Sequence, residues 1–186
     1  MGGGAVLGAS LALVLVAAPA AGELRVTDLW VYLNDFDVTV QMVVIGTVPQ
    51  TFTESLQGGV PAKVRFSVEL WHVRRLWPDR LLLARTIERQ LQYDVLTKAF
   101  KVVSVSGETR DPYSTRDLRD AQRVLSELRG VKLTPVSQLD PQALFYVRVR
   151  AETALNGENT FLTRIYGESE ETDWVSSSLL TVTRTQ

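Results

Sequence analysis

Apolar and polar side chains alternate with a period of two through most of this chain, the pattern of strands that bury one face. Leu24-Arg25-Val26-Thr27-Asp28-Leu29-Trp30-Val31-Tyr32-Leu33 and Val38-Thr39-Val40-Gln41-Met42-Val43-Val44-Ile45 read as a hairpin pair. Asn34-Asp35-Phe36-Asp37 between them is a turn, because Asn and Asp tolerate left-handed dihedrals and bond their own backbone. Past Gly46, Phe52 and Leu56 stand four apart and predict one or two helical turns over about 50–57, stopped by Gly58-Gly59. The stretch Val60 to Arg80, VPAKVRFSVELWHVRRLWPDR, is then a long strand. Val64, Phe66, Val68 and Leu70 line one of its faces, and Lys63, Arg65, Ser67 and Glu69 the other.

Arg80 to Ala99 fits two periods. Propensity permits a helix, but Ala84, Thr86, Glu88 and Gln90 also oppose Arg85, Ile87, Arg89 and Leu91, which favours a strand over Leu82–Tyr93 and another over Ala99–Ser106. An amphipathic helix is expected over about 114–129. Ser114-Thr115-Arg116-Asp117 offers a hydroxyl cap, Leu118, Ala121, Leu125 and Leu128 keep helical spacing, and Gly130 follows as a stop. Val136–Leu139 is a short turn; Leu144–Glu152 and Trp174–Arg184 are the last strands, separated by the polar ALNGENTFLTRIYGESEET with Asn156-Gly157 as a turn. Strands in this number, with one helix inserted, predict a mainly β fold: an antiparallel two-sheet β-sandwich of immunoglobulin or C2 type.

The first 22 residues change the picture. No charged side chain precedes Glu23, an apolar run extends from Ala5 to Ala18, and small residues follow, the pattern of a secretory signal cleaved after Ala20 or Gly22. Retention as a membrane anchor is the alternative, since the stretch just reaches spanning length; its glycines and Pro19 favour cleavage. Residues 23–186 then form a single β-sandwich domain, large enough for its own core. The protein is placed outside the cytoplasm, in the periplasm or cell envelope, with membrane contact only if the segment stays.

Twenty basic against 21 acidic residues provide no global field for nucleic acid. The charge is uneven, however: residues 63–129 hold 14 basic and 9 acidic side chains, most simply a solvated face rather than an anionic-ligand groove. With no cysteine, the core carries stability without disulfides, and thiol catalysis and Cys-based zinc sites are excluded.

Read in order, GGVP at Gly58 to Pro61, VELWHVRRLWPDRLL, LQYDVLTKAFKV, a capped helix, LFYVRVRAE and TDWVSSSLLTV resemble the bacterial exported family known as domain of unknown function 4390. The resemblance spans about residues 24–184. It departs after Ala151, where a Leu-Pro turn is expected and Leu155-Asn156-Gly157 stands. The resemblance implies no activity, cofactor or catalytic residue.

Candidate sites are few. His72, the single histidine, lacks the companions a metal needs and reads as a strand residue with one partner. Asp35 and Asp37 could supply two oxygens to calcium, though a plain turn explains them better. Trp71, Arg74, Arg75, Trp77 and Arg80 form the candidate binding surface. Two indoles beside arginines can grip an apolar segment or a sugar, unless a bulge near His72 or the helix covers the rings. No nucleophile elbow, phosphate loop or HExxH occurs. The sequence therefore points to a non-catalytic envelope module that binds or scaffolds another envelope protein, without cofactor or metal. A glycan- or amphiphile-binding sandwich is the alternative, and a carboxylate-dependent hydrolase the third reading.

Overall fold

A computed structural model describes residues 23–34, 36–156 and 169–182. The predicted signal segment, Asp35, most of the polar loop after Asn156 and the last four residues lie outside the described residues. Two antiparallel sheets form a β-sandwich. The smaller has the order β1 (Arg25–Asn34), β2 (Asp37–Ile45), β7 (Glu127–Pro135). The larger runs β10 (Val175–Ser176), β8 (Phe145–Leu155), β3 (Ala62–His72), β4 (Arg80–Asp94), β5 (Ala99–Ser106), β6 (Tyr113–Thr115), with β9 (Ser169–Glu171) also on β8.

The long strand is the middle of the larger sheet, and its alternation is the reason. Val64, Phe66, Val68 and Leu70 are buried, facing Val40, Met42 and Val44 of β2 in one contiguous core. Phe52 and Leu56 complete it from the 3-10 turn Gln50–Phe52 and α1 (Thr53–Gln57), at the predicted place. Within the ambiguous Arg80–Ala99 stretch, Arg80–Asp94 is strand, paired with β3 as far as Leu91 and with β5 from Glu88 on, and residues 95–98 are the turn into β5.

The inserted helix is shorter than its pattern. Tyr113, Ser114 and Thr115 belong to strand β6, laddered against Val102, Lys101 and Phe100, so Ser114 cannot cap. Asp117 does so instead, its carboxylate accepting the Arg119 N–H at 2.8 Å, and α2 covers only Leu118–Ser126. At Glu127 the backbone becomes extended and β7 begins with no loop between. Leu128 is thus buried from a strand, and Gly130, with φ +66°, sits where β7 carries an extra residue between its pairs Met42–Leu128 and Val40–Val131. The predicted terminal strand is also broken. Among the described residues of that stretch, only Val175–Ser176 form a continuous ladder with β8; beyond them the Ser177 hydroxyl replaces a backbone acceptor for Val147 N–H at 3.0 Å, and pairing resumes at Leu180 opposite Phe145.

A buried cation docks α2 on the larger sheet. Arg89 has the inward parity of Ile87 and Leu91, and it is 2% exposed. Its Nη1 donates to the carbonyls of Val124 (3.0 Å), Leu125 (3.4 Å) and Glu127 (2.6 Å), the carboxyl end of α2, which leaves orphan acceptors there. Glu108 neutralises the charge through both oxygens, at 2.5 Å from Nε and 2.9 Å from Nη2. The guanidinium also lies 5.6 Å from the centre of the Phe66 ring. Between β5 and Glu108, Gly107 permits the close approach: at φ +82°, a Cβ there would lie 2.1 Å from the Thr86 carbonyl oxygen.

Two stability measurements check this account by denaturant titration. Removing one partner of a buried pair strands the other, so Glu108→Gln is expected to cost about 3 kcal/mol, and a second change, Arg89→Met, to cost far less in that background than alone. Gly59 shares a positive φ of 91° but faces open space; Gly59→Ala should cost about 1–2 kcal/mol, and Gly107→Ala about 3 kcal/mol or more.

Candidate functional site

The five residues of the predicted surface separate into two places. Arg74, Arg75 and Trp77 stand on the link Val73–Asp79 between β3 and β4, with Arg80 just beyond; all four are exposed, Trp77 by 72% and the neighbouring Leu76 by 88%. The tip is nevertheless held. Asp79 Oδ1 accepts the Arg74 N–H at 3.1 Å, the Arg74 guanidinium donates to the Pro78 carbonyl at 2.8 Å, and Val73 N–H donates to Leu144 O at 2.8 Å. Pro78, without an N–H, cannot extend the ladder, which favours a bent link here. Leu81, Leu82, Leu144 and Leu179 are exposed around the same end of the sheet.

Trp71 does not join them. The bulge lies opposite it, where β4 carries the extra residue Leu82 between the pairs Leu70–Leu83 and Trp71–Leu81, so Trp71 keeps its outward parity and is half-buried by neighbours. Arg148 from β8 inserts its guanidinium between two indoles, 4.3 Å from the Trp71 ring centre and 4.4 Å from that of Trp174. Tyr146 stacks on Trp71 at 6.4 Å and 10°. Glu69 accepts from both Trp71 Nε1 (2.7 Å) and Arg148 Nε (2.6 Å), which fixes the stack. The row continues: Arg150 lies 5.0 Å from Trp174 and bonds Glu152, which also meets Arg65, itself bonded to Glu88. At the other end, the Tyr146 hydroxyl donates to Asp79 Oδ2 at 3.2 Å, so the row terminates on the tip.

These partners were hidden in the sequence. Tyr146, Arg148 and Arg150 alternate visibly with Phe145, Val147 and Val149, yet only the β3–β8 register places Arg148 opposite Glu69 and Tyr146 opposite Trp71. Trp174 arrives from 26 residues further on. His72 leans on Phe145, ring centres 5.5 Å apart. Asp37 pairs with Lys132 at 3.1 Å. Among the described residues, no group of three or more His, Asp or Glu side chains could hold a metal ion. The two carboxylates at the small cavity beside β3, Glu88 and Glu152, are both bound by Arg65.

The fold and this surface define an antiparallel β-sandwich whose outer face is ordered by arginine–aromatic stacking. Residues 21–157 match the model of the family described as domain of unknown function (DUF4390), and the chain belongs to that family. The match ends before TDWVSSSLLTV, although Trp174 of that stretch completes the stack. No curated protein and no solved structure matches this chain.

Arg148→Lys tests the stack. An ammonium keeps the charge but loses the planar fork that lies between two rings while bonding Glu69, so a loss of about 1–2 kcal/mol and an altered near-ultraviolet tryptophan circular dichroism signal are expected.

Proposed function

We propose that the chain is an exported, non-catalytic binding module of the cell envelope that engages a protein partner through the β3–β4 tip. The observation that carries this reading is the pairing of order with exposure: Leu76 and Trp77 project 88% and 72% exposed from a link whose backbone is bonded at Arg74 and Pro78. Large apolar side chains carried on a bonded backbone leave less chain to order on binding, and Trp beside Arg is the composition of interface hot spots. Arg74, Arg75 and Arg80 favour an apolar pocket rimmed by carboxylates.

The two ends of the sheet support a protein over the membrane next to the chain's own entry. Leu24 N–H donates to Glu170, which pairs with Thr153 of β8, whereas the tip lies beside Phe145. Eight strand residues separate these ends, about 25 Å at the usual rise. The tip thus lies at the opposite end of the sheet from Leu24, which closely follows the predicted signal or anchor in sequence. The covered faces of Trp71 leave Trp77 as the exposed indole of the predicted pair, which weakens a two-ring sugar platform.

A photo-crosslinking residue placed at Leu76 in the full chain, expressed in its own host, is expected to give a discrete protein adduct. The same residue at Leu96, 94% exposed at the far turn, should not. Trp77→Ala should reduce the adduct about tenfold or more without lowering the melting temperature. Equal labelling from both positions, or indifference to Trp77→Ala, would sink the reading.

A further inference from the structure

The basic excess of residues 63–129 is not spread evenly over the surface. Four of its arginines meet around one cavity of about 310 Å³, between the loop after β5, the carboxyl end of α2 and the start of β7. Arg89 forms its floor, Arg110 comes from the loop, Arg123 from the helix and Arg129 from the strand, with Glu108 and Glu127 as the lining carboxylates. Four guanidinium groups against two carboxylates leave the lining at +2, and Asp120, bonded to Arg123 from outside the lining, lowers the local excess to +1.

The carboxylates are already committed. Glu108 is held by Arg89 through both oxygens, and Glu127 pairs with Arg129. Arg123 bonds Asp120 at 2.7 Å and keeps the rest of its fork free. Among the described residues, no carboxylate pairs with Arg110, whose guanidinium makes a long hydrogen bond of 3.4 Å to the Val124 carbonyl. Burial, and then the Arg89 charge beside it, hold its pKa below the usual guanidinium value, while Glu108 and Glu127 oppose that shift. A group so placed gains from an added anion. At the carboxyl end of α2 the Val124 carbonyl accepts from both Arg89 and Arg110, and the Glu127 carbonyl from Arg89.

We propose that this cavity binds the phosphoryl dianion of a small solute or of a lipid headgroup, with Arg110 as the principal ligand and Arg123 and Arg129 closing around it. The planar forks of arginine match phosphate oxygens, and the net positive lining favours an anion. The volume exceeds what a phosphoryl group fills and leaves room for the small body attached to it; ligand cavities begin at roughly 300 Å³. The site lies apart from the β3–β4 tip and stands independently of the partner proposed there.

The test titrates the full chain, at constant ionic strength, with glycerol 3-phosphate by calorimetry and with phosphatidic acid vesicles by co-sedimentation, phosphatidylcholine vesicles serving as blank. Saturable binding to glycerol 3-phosphate identifies a soluble source, and binding to phosphatidic acid alone a headgroup. In either case Arg110→Ala is expected to weaken binding at least tenfold, Arg123→Gln severalfold, and Arg116→Ala, on the exposed start of the helix region, not at all. Arg110 and Arg123 are exposed enough that both variants should keep the wild-type far-ultraviolet circular dichroism. Absence of saturable binding to both probes, or binding unchanged in Arg110→Ala, would overturn the proposal.

Discussion

One buried guanidinium determines how the two sheets meet. Arg89 comes from the larger sheet, yet most of its hydrogen bonds go to α2 and to the first residue of β7, which belongs to the smaller one. A charge so deep costs several kcal/mol in desolvation unless every donor finds an acceptor. Here the acceptors are a carboxylate, two carbonyls of the last turn of α2 that have no helical partner left, and the carbonyl of Glu127 where β7 begins. The requirement is mutual, and it is specific: an apolar residue at position 89 would pack against Phe66 but would leave the end of α2 unbonded. Arg85 adds a second link of this kind, its guanidinium donating to the Lys132 carbonyl of β7.

The outer face of the larger sheet follows a different logic. Its charges are alternately stacked and paired, Glu88–Arg65–Glu152–Arg150, then Trp174–Arg148–Trp71–Tyr146, and finally Asp79. Partly exposed ion pairs taken one at a time stabilise little. In series, with aromatic rings interleaved, they restrain long side chains that would otherwise move freely. The consequence falls at the tip, where Asp79 is bonded both to Tyr146 and to the Arg74 backbone, so the loop inherits the order of the sheet.

Much of the sandwich was legible because burial repeats every second residue: the faces of Lys63–Leu70, the hairpin of β1 and β2, and the short helix before Gly58 stand where alternation and stop signals put them. The helix boundaries were misread for a local reason. Ser114 and Gly130 carry the chemistry of caps, but Ser114 is taken by a cross-strand pair and Gly130 by a bulge, and both claims come from strands distant in sequence. Arg89 marks where periodicity points to the core and hydropathy does not; its inward parity was visible, and its partner Glu108 was not. The arginine–tryptophan stack shows the same limit more sharply. It unites residues from two strands and a following segment, and register is a long-range property that no local pattern encodes.

Where α2 passes into β7 the chain has no slack. Glu127 closes the last helical turn with its N–H to the Arg123 carbonyl and is also the residue laddered opposite Val43. A helix and a strand that share a residue behave as a crank: turning α2 about its axis must slide β7 along β2. Arg123 and Arg129 sit on the two arms of that crank, on either side of the shared residue.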